Sequence, residues 1–310
     1  MIYLLQFITI LISFFISYKI NKSIKNFDKP GKNKIQKIKV LTSGGIVTFI
    51  LLAFIIFCSI YFSTSEYSDY YFNIPNIWMA PLSILIFTLI SFYDDLHYIA
   101  FQARLFLQLS IVYLCVSLLP VNPDFNFQTP IFNGLLPVKI DMILTITFWV
   151  FIINSTNFID GYDGMFSFQI TTCFFALSII FFIINEIFHF QVSLLMVFMG
   201  VLFIPFNLGK KFKMYIGDAG SIPAGFILGW MIISLINMGH LLSALLINLF
   251  FMSDILIVLL KRIINKKSIF IRHNDFIFKR SIVKYGVKKY YSISIFSQIV
   301  LISISIYLVL

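Results

Sequence analysis

Long apolar runs separated by short polar segments extend along all 310 residues of the chain. Each run approaches the ~20 residues that a helix needs to cross the ~30 Å hydrocarbon core of a bilayer. No repeat, low-complexity tract or linker divides the chain. We therefore predict an all-α, polytopic integral membrane protein, with one membrane domain over residues 1–310 and about ten transmembrane helices. The runs lie near 2–18, 44–63, 77–93, 105–120, 140–156, 166–185, 190–206, 221–237, 241–260 and 292–310.

Composition supports this prediction, because 60 % of the residues are hydrophobic and only 12 % are charged, against about a quarter charged in soluble domains. The three cysteines lie inside apolar runs, where they pack as small hydrophobes, so no disulfide or thiol chemistry is expected. The first run lacks a basic flank and a small-residue cleavage site, so we expect it to be retained as a helix.

The net charge of +10 is distributed unevenly. Alternating spans place all but Lys139 of the 23 lysines and arginines on one side of the membrane. Basic residues concentrate on the cytoplasmic side of membrane proteins, so both termini are predicted to be periplasmic. Such segments attract anionic headgroups, so membrane lipid rather than nucleic acid is the expected partner of the excess charge.

Acidic residues are scarce, and five of the 13 fall in three short segments at helix ends on the basic side. This concentration points to chemistry on a charged substrate at the membrane surface. In the first segment the adjacent carboxylates of Asp94 and Asp95 repel each other unless a cation neutralises them. This predicts a divalent metal or a proton-transfer role, or simply a solvated helix end. We also expect Asp95 to lie close to Arg104.

The second segment, 157–164, repeats Asp-Gly at Asp160-Gly161 and Asp163-Gly164, three residues after Asn157. Glycine allows a ligand to approach the backbone closely, while Asn and Asp supply donors and acceptors. The segment is predicted to bind a polar ligand, the alternative being a helix C-cap followed by an N-cap.

The third segment, around Gly217-Asp218, precedes an apolar run. Its N–H groups and helix dipole could receive an anion, and Asp218 is a suitable oxygen ligand for Mg²⁺. The alternative is an N-cap alone. Asn207 borders the same loop.

Asp254 lies inside the ninth run, where an ionisable residue is a functional candidate. A salt bridge along the helix to Lys261 or Arg262 is the competing interpretation. In the last basic loop His273 and Arg280 are candidate phosphate contacts, or else part of the general surface charge.

Taken in order, these segments resemble the polyprenyl-phosphate N-acetylhexosamine-1-phosphate transferases, the family that includes the peptidoglycan translocase and the enzymes that initiate O-antigen and teichoic acid synthesis. The resemblance covers nearly the whole chain. The segments that carry it are Thr42-Ser43-Gly44-Gly45, Asp94-Asp95, 157–164, Pro205 to Asn207, 217–221, and Asp254 with Arg262.

The resemblance implies an enzyme of the bacterial inner membrane whose active site faces the cytoplasm. It would transfer a sugar-1-phosphate from a UDP-sugar to undecaprenyl phosphate, with Mg²⁺ or Mn²⁺ as cofactor and release of UMP. A homodimer is left open. A secondary transporter and a catalytically silent homologue are the alternatives.

Carried over residue by residue, the resemblance implies that Asp218 binds the metal. Asp94 and Asp95 would orient or deprotonate the acceptor phosphate, or help to hold the metal. The implied substrate-binding residues are Asn157, Asp160, Gly161, Asp163, Asn207, Asp254, His273 and Arg280. The last loop follows the pattern of the O-antigen branch, with Phe276 where that pattern has a second His.

Overall fold

The computed structural model describes residues 2–28, 39–66, 78–117, 137–160, 163–267, 280–281 and 284–310. These residues form ten long α-helices and one pair of two-residue strands. The helices are α1 (Ile2–Ser23), α2 (Ile46–Glu66), α3 (Met79–Leu96), α4 (Phe101–Ser117), α5 (Val138–Asp160), α6 (Met165–Ile183), α7 (Ile187–Leu208), α8 (Asp218–Asn237), α9 (Leu241–Ile264) and α10 (Val287–Tyr307). The strands are β1 (Phe27–Asp28) and β2 (Val40–Leu41).

Each predicted apolar run corresponds to one helix. Eight helices have at least 18 residues and the hydropathy of a membrane span, and the apolar stretches Ile46–Tyr61 of α2 and Phe101–Ser117 of α4 are shorter. The prediction of an all-α polytopic membrane protein is confirmed. The fourth helix begins at Phe101 rather than near 105, so that Arg104 belongs to its first turn.

Helix α8 lies at the centre of the bundle. In its most apolar stretch 89 % of the residues are buried, compared with 22 % in α1 and in α10. Small residues allow α5 to approach closely: a methyl group added at Gly225 would lie 2.7 Å from Ile153 Cα, and one at Gly229 would lie 2.2 Å from Trp149 Cδ1. Such small-residue contacts are typical of helix packing in membranes. The start of α8 is thereby held in a fixed position.

The segment that leads into α2 runs beside the segment that leads into α8. The Tyr215 N–H donates to the Leu41 carbonyl at 2.8 Å, and the N–H groups of Gly44 and Gly45 donate to Tyr215 and Ile216 at 3.0 Å each. These backbone hydrogen bonds join two parts of the chain that are far apart in sequence, next to the first turn of α8.

Candidate active site

The three acidic segments converge at one end of the bundle, where α3, α5 and α7 end and α4, α6 and α8 begin; we call it the motif end. Asp94 and Asp95 lie in the last turn of α3, Asp160 ends α5, and Asp218 begins α8. Because α8 packs against both α3 and α5, segments far apart in sequence meet in one place.

At their meeting point one guanidinium nitrogen joins two carboxylates. Arg104 Nη1 donates to Asp94 Oδ2 and to Asp218 Oδ2, at 2.7 Å in each case. Asn157 Nδ2 donates to the other Asp218 oxygen, Oδ1, at 2.8 Å. We call Asp94, Arg104, Asn157 and Asp218 the charged cluster. The side chains of Arg104 and Asp218 are partly accessible, with 29 % and 26 % exposure, so a solute can reach them, whereas that of Asp94 is 8 % exposed.

Among the described residues Arg104 pairs with Asp94 and Asp218, and Asp95, which the sequence suggested as its partner, has other partners. Its Oδ1 accepts the Asp218 N–H at 3.3 Å, and its Oδ2 accepts the Ala219 N–H at 3.2 Å and the Ser43 hydroxyl at 2.6 Å. A carboxylate at a helix N-terminus satisfies free N–H groups and interacts favourably with the helix dipole. Asp95 therefore caps α8, in the place where the sequence suggested a bound anion.

Glycines make this close arrangement sterically feasible. Gly217, the N-cap of α8, has a φ of +72°, which glycine adopts without strain. A Cβ there would lie 2.7 Å from Asp95 Oδ2. A Cβ on Gly45 would lie 2.3 Å from Gly220 Cα, so the glycines of the 42–45 segment and of the third acidic segment pack backbone against backbone.

Asp160 and Asn207 hold the backbone of neighbouring segments. Asp160 Oδ2 accepts the Gly217 N–H at 3.1 Å, and Asn207 Oδ1 accepts the Gly164 N–H. Both side chains are buried, with 7 % and 0 % exposure. Two of the predicted substrate-binding residues therefore position the loops around the charged cluster.

Asp163 connects the loop after α7 with α10. Its carboxylate pairs with Lys213, and its carbonyl accepts the Tyr291 hydroxyl. Burial raises the pKa of the Tyr215 phenol, and the negative charge of Asp163 raises it further. Tyr215 thus remains a neutral hydroxyl at physiological pH.

Four buried polar atoms at the motif end have no hydrogen-bond partner within the part of the chain that the structure describes. They are Arg104 Nε, Asp160 Oδ1, Asp163 Oδ1 and Asn207 Nδ2. Buried polar groups are almost always paired with protein or ordered water. This region is therefore prepared to accept further polar partners, either water or a ligand.

Asp254 is not part of the charged cluster. It lines an apolar cavity of about 150 Å³, together with Ile159 of α5, Met165 of α6 and Tyr290 of α10. Ile159 directly precedes Asp160, so the cavity adjoins the end of α5 that carries the second motif.

The last basic loop is represented by few described residues. Arg280 is exposed. His273, Phe276 and Gly161 lie outside the residues that the structure describes, so their predicted roles stay predictions.

The sequence profile described as Glycosyl transferase family 4 matches residues 77–236. This range runs from just before α3 into α8 and contains the whole charged cluster. The chain belongs to this family. The predicted resemblance to the polyprenyl-phosphate sugar-1-phosphate transferases is thereby confirmed.

Curated relatives of this family 4 chain have the name phospho-N-acetylmuramoyl-pentapeptide-transferase. The protein from Staphylococcus saprophyticus is 27 % identical over 292 residues, which is 84 % of each chain. Those from Staphylococcus aureus strains JH9 and Newman are 29 % identical over 142 residues, 46 % of this chain and 43 % of theirs.

The charged cluster fits a divalent cation of the magnesium type. The described residues contain no group of three or more His, Cys, Asp and Glu side chains that could hold a metal ion. Mg²⁺ usually takes only one or two carboxylates, with waters and substrate phosphates completing its shell. Asp94 and Asp218 each direct one oxygen toward a common point, which matches that donor set.

Several residues with roles at this site were not assigned such roles from the sequence. Ser221 contacts Asn157 Nδ2 at 2.9 Å, and Ser43 bonds to Asp95. Both serines lie inside motifs that the sequence singled out, so their positions carried a signal. Lys213 belongs to a short basic stretch with Lys210 and Lys211 in the loop that Asn207 borders, whereas nothing in the pattern pointed to Tyr291.

Proposed function

We propose that this family 4 transferase moves a sugar-1-phosphate of the N-acetylhexosamine type from a UDP-sugar to undecaprenyl phosphate. A phosphate oxygen of the acceptor forms a bond to the sugar-bearing phosphorus of the donor, while the bond from that phosphorus to UMP breaks. Both substrates are anions, so catalysis depends mainly on positioning and on neutralising charge.

The observation that carries the proposal is the shared position of Arg104 Nη1, 2.7 Å from both Asp94 Oδ2 and Asp218 Oδ2. Two carboxylates from different motifs converge on one cationic point at the motif end. Mg²⁺ bound by these oxygens would supply positive charge to the diphosphate of the donor. A phosphotransferase that joins two anions needs such a point.

The two adjacent aspartates of α3 have different roles in this proposal. Asp218 is the metal ligand, and Asp94 faces it across Arg104, where it orients the acceptor phosphate or shares the metal. Asp95 supports both by capping α8, because the N–H of Asp218 itself is one of its donors. Successive residues of a helix point about 100° apart, which explains why neighbours in sequence have different partners.

The nucleotide and diphosphate would lie beside the second motif. Asn157 already contacts Asp218. Asn207 Nδ2 and Asp163 Oδ1, which have no hydrogen-bond partner among the described residues, provide a donor and an acceptor. Asp160, with Gly161, would shape this subsite through the backbone. His273 and Arg280 of the last loop would contact sugar or phosphate.

The acceptor would arrive from the bilayer. The apolar cavity beside Asp254 suits the first isoprene units of undecaprenyl phosphate, because apolar chains favour apolar surroundings. The distribution of basic residues supports a cytoplasmic motif end in a bacterial inner membrane. The last-loop pattern around His273 favours initiation of a lipid-linked surface polysaccharide such as O-antigen.

The test is UMP release by the purified protein in detergent with undecaprenyl phosphate, Mg²⁺ and a panel of UDP-N-acetylhexosamines. We expect UMP from at least one donor, and none when the acceptor is omitted or EDTA is added. The peptidoglycan precursor UDP-N-acetylmuramoyl-pentapeptide is a further arm of the panel. UMP from that donor alone would overturn the N-acetylhexosamine assignment while leaving the reaction class standing.

A further inference from the structure

Arg104 occupies the point on which the two carboxylates of the charged cluster converge. It donates to both carboxylates through one nitrogen, Nη1, instead of making the bidentate contact that arginine usually makes with a single carboxylate. Each of the two contacts is 2.7 Å long. One nitrogen of the delocalised guanidinium cation thus lies between Asp94 and Asp218, in the position that a bound metal ion would take.

The scaffold holds the carboxylates independently of this arginine. Asp94 Oδ1 accepts the Ile99 N–H at 2.7 Å, and Asp218 Oδ1 accepts Asn157 Nδ2 at 2.8 Å. The remaining oxygen of each carboxylate is the one that faces Arg104. If the guanidinium moved away, both carboxylates would keep their orientation and present two oxygens to one point.

Arg104 also has an N–H group that is available to a further hydrogen-bond acceptor. Its Nε is buried and has no hydrogen-bond partner among the described residues, so the present position leaves one donor unsatisfied. Leaving a buried donor unpaired is unfavourable. The side chain is 29 % exposed, which gives the guanidinium room to turn toward an incoming anion.

We infer that Arg104 is a resident cation that competes with the divalent metal for the Asp94–Asp218 position and is released to a phosphate of the substrate when the metal binds. Before the metal binds, it offsets part of the repulsion between two carboxylates. Once displaced, it adds a positive charge to the donor diphosphate, whose oxygens suit a guanidinium. This inference rests on the proposed function.

The exchange couples metal and nucleotide. Without a phosphate to receive Arg104, the metal must displace a charge-assisted hydrogen-bond donor from both carboxylates, so binding of metal alone is weakened. With a phosphate present, the displaced arginine gains new partners. Metal and nucleotide should therefore strengthen each other's binding, and by thermodynamic linkage the factor is the same in both directions.

The test measures Mn²⁺ binding by electron paramagnetic resonance in the purified full-length protein, with and without UMP. Compared with the wild type, Arg104→Gln should bind Mn²⁺ alone about tenfold more tightly, because it lacks the competing hydrogen-bonded cation. The strengthening of Mn²⁺ binding by UMP should shrink in this variant. Arg104→Lys, which keeps a charge, should stay close to the wild type for Mn²⁺ alone.

Two control variants distinguish failure of this inference from failure of the proposed function. Lys261→Gln removes one exposed positive charge from the last turn of α9 and should leave Mn²⁺ affinity unchanged, whereas Asp218→Asn should abolish binding. If Arg104→Gln binds Mn²⁺ no more tightly than the wild type while Asp218→Asn abolishes binding, the exchange is refuted and the proposed function stands. If no folded variant binds Mn²⁺ and UMP release is independent of metal, both are refuted.

Discussion

Two polar clusters inside this membrane protein differ in charge and in access to water. The charged cluster at the motif end combines carboxylates with a guanidinium, and its Asp218 and Arg104 side chains are about one-quarter exposed. The second, which we call the amide cluster, consists of Gln169, Cys173, Asn248 and Gln298 and contains no ionised group. All four of its side chains are buried, with at most 1 % exposure.

The amide cluster joins helices α6, α9 and α10. Gln169 Nε2 donates to Asn248 Oδ1 at 3.1 Å, and Gln298 Nε2 donates to the Ile247 carbonyl at 2.8 Å. The Cys173 thiol also donates to that carbonyl, at 3.3 Å. Neutral amides can be buried with few partners, whereas buried charges require partners and nearby water or helix ends. The contrast indicates that polarity alone does not mark a candidate active site: the charged cluster differs from the amide cluster in its ionised groups and in its access to water.

Among the two adjacent aspartates of α3, removing the charge of Asp94 should cost much activity and little stability. We expect Asp94→Asn to reduce UMP formation by about 10²–10³, the typical loss when one preorganised electrostatic group is removed from an active site. Its melting temperature should change little, because the asparagine can still accept the Ile99 N–H.

The matched variant is Asp95→Asn. Both Asp95 oxygens accept hydrogen bonds, so the new amide must turn an NH₂ group toward a donor. We expect a loss of about 1–3 kcal/mol of stability as well as reduced activity. Equal stability of the two variants, measured by thermal unfolding in detergent, would contradict the division of roles between the adjacent aspartates.

Gly45→Ala should disrupt the scaffold of the charged cluster. The added methyl group would lie 2.3 Å from Gly220 Cα, and this neighbour is backbone that cannot rotate away. We expect a loss of about 1–3 kcal/mol of stability, as for overpacking in a protein interior, together with lower UMP formation. A variant that melts and turns over like the wild type would show that the 42–45 segment and the third acidic segment do not pack as described.

The amide cluster should respond in the opposite way to the charged cluster. We expect Asn248→Leu to lower stability by about 0.6 kcal/mol, the average for interhelical hydrogen bonds in membranes, and to leave the rate of UMP formation nearly unchanged. Thermal unfolding and turnover of the same preparation measure both quantities. A large loss of turnover without unfolding would mean that the amide cluster takes part in the reaction.

The smallest effect is expected at the opposite end of the bundle, where His189 lies 3.3 Å from Glu186. The hydrogen bond from His189 lowers the pKa of the Glu186 carboxyl. A lowered folded-state pKa stabilises the protein above the unfolded value of about 4.3, and this contribution disappears as pH falls through the folded value. We expect Glu186→Gln to lower the melting temperature slightly at pH 7 and to match the wild type in acid. If the difference in melting temperature between the variant and the wild type widened in acid, the predicted pH dependence would be wrong.

The spans could be predicted because lipid requires long apolar runs, and the motifs could be found because acids are rare in such runs. The first turn of α4 was missed for the same reason. Gln102 and Arg104 are polar, so a hydropathy criterion excludes them, although they continue the helix and place the arginine at the site.

The partners of individual aspartates could not be predicted. Asp94 and Asp95 differ by about 100° around α3, and the positions of α4 and α8 decide which of them faces Arg104 and which caps α8. The sequence similarly predicts a ligand-binding role for Asp160, yet its partner, the Gly217 N–H, comes from a distant part of the chain. Such tertiary contacts leave no trace in local sequence patterns.

The most direct test of the central claim compares UMP release by the wild type and by Asp218→Asn, with undecaprenyl phosphate, the UDP-sugar that the panel selects, and increasing Mg²⁺. We expect Mg²⁺-dependent, acceptor-dependent turnover in the wild type and its loss in the variant, provided that the variant elutes and melts like a folded protein. Undiminished turnover by Asp218→Asn at every Mg²⁺ concentration would contradict the assignment of the charged cluster as the reaction centre.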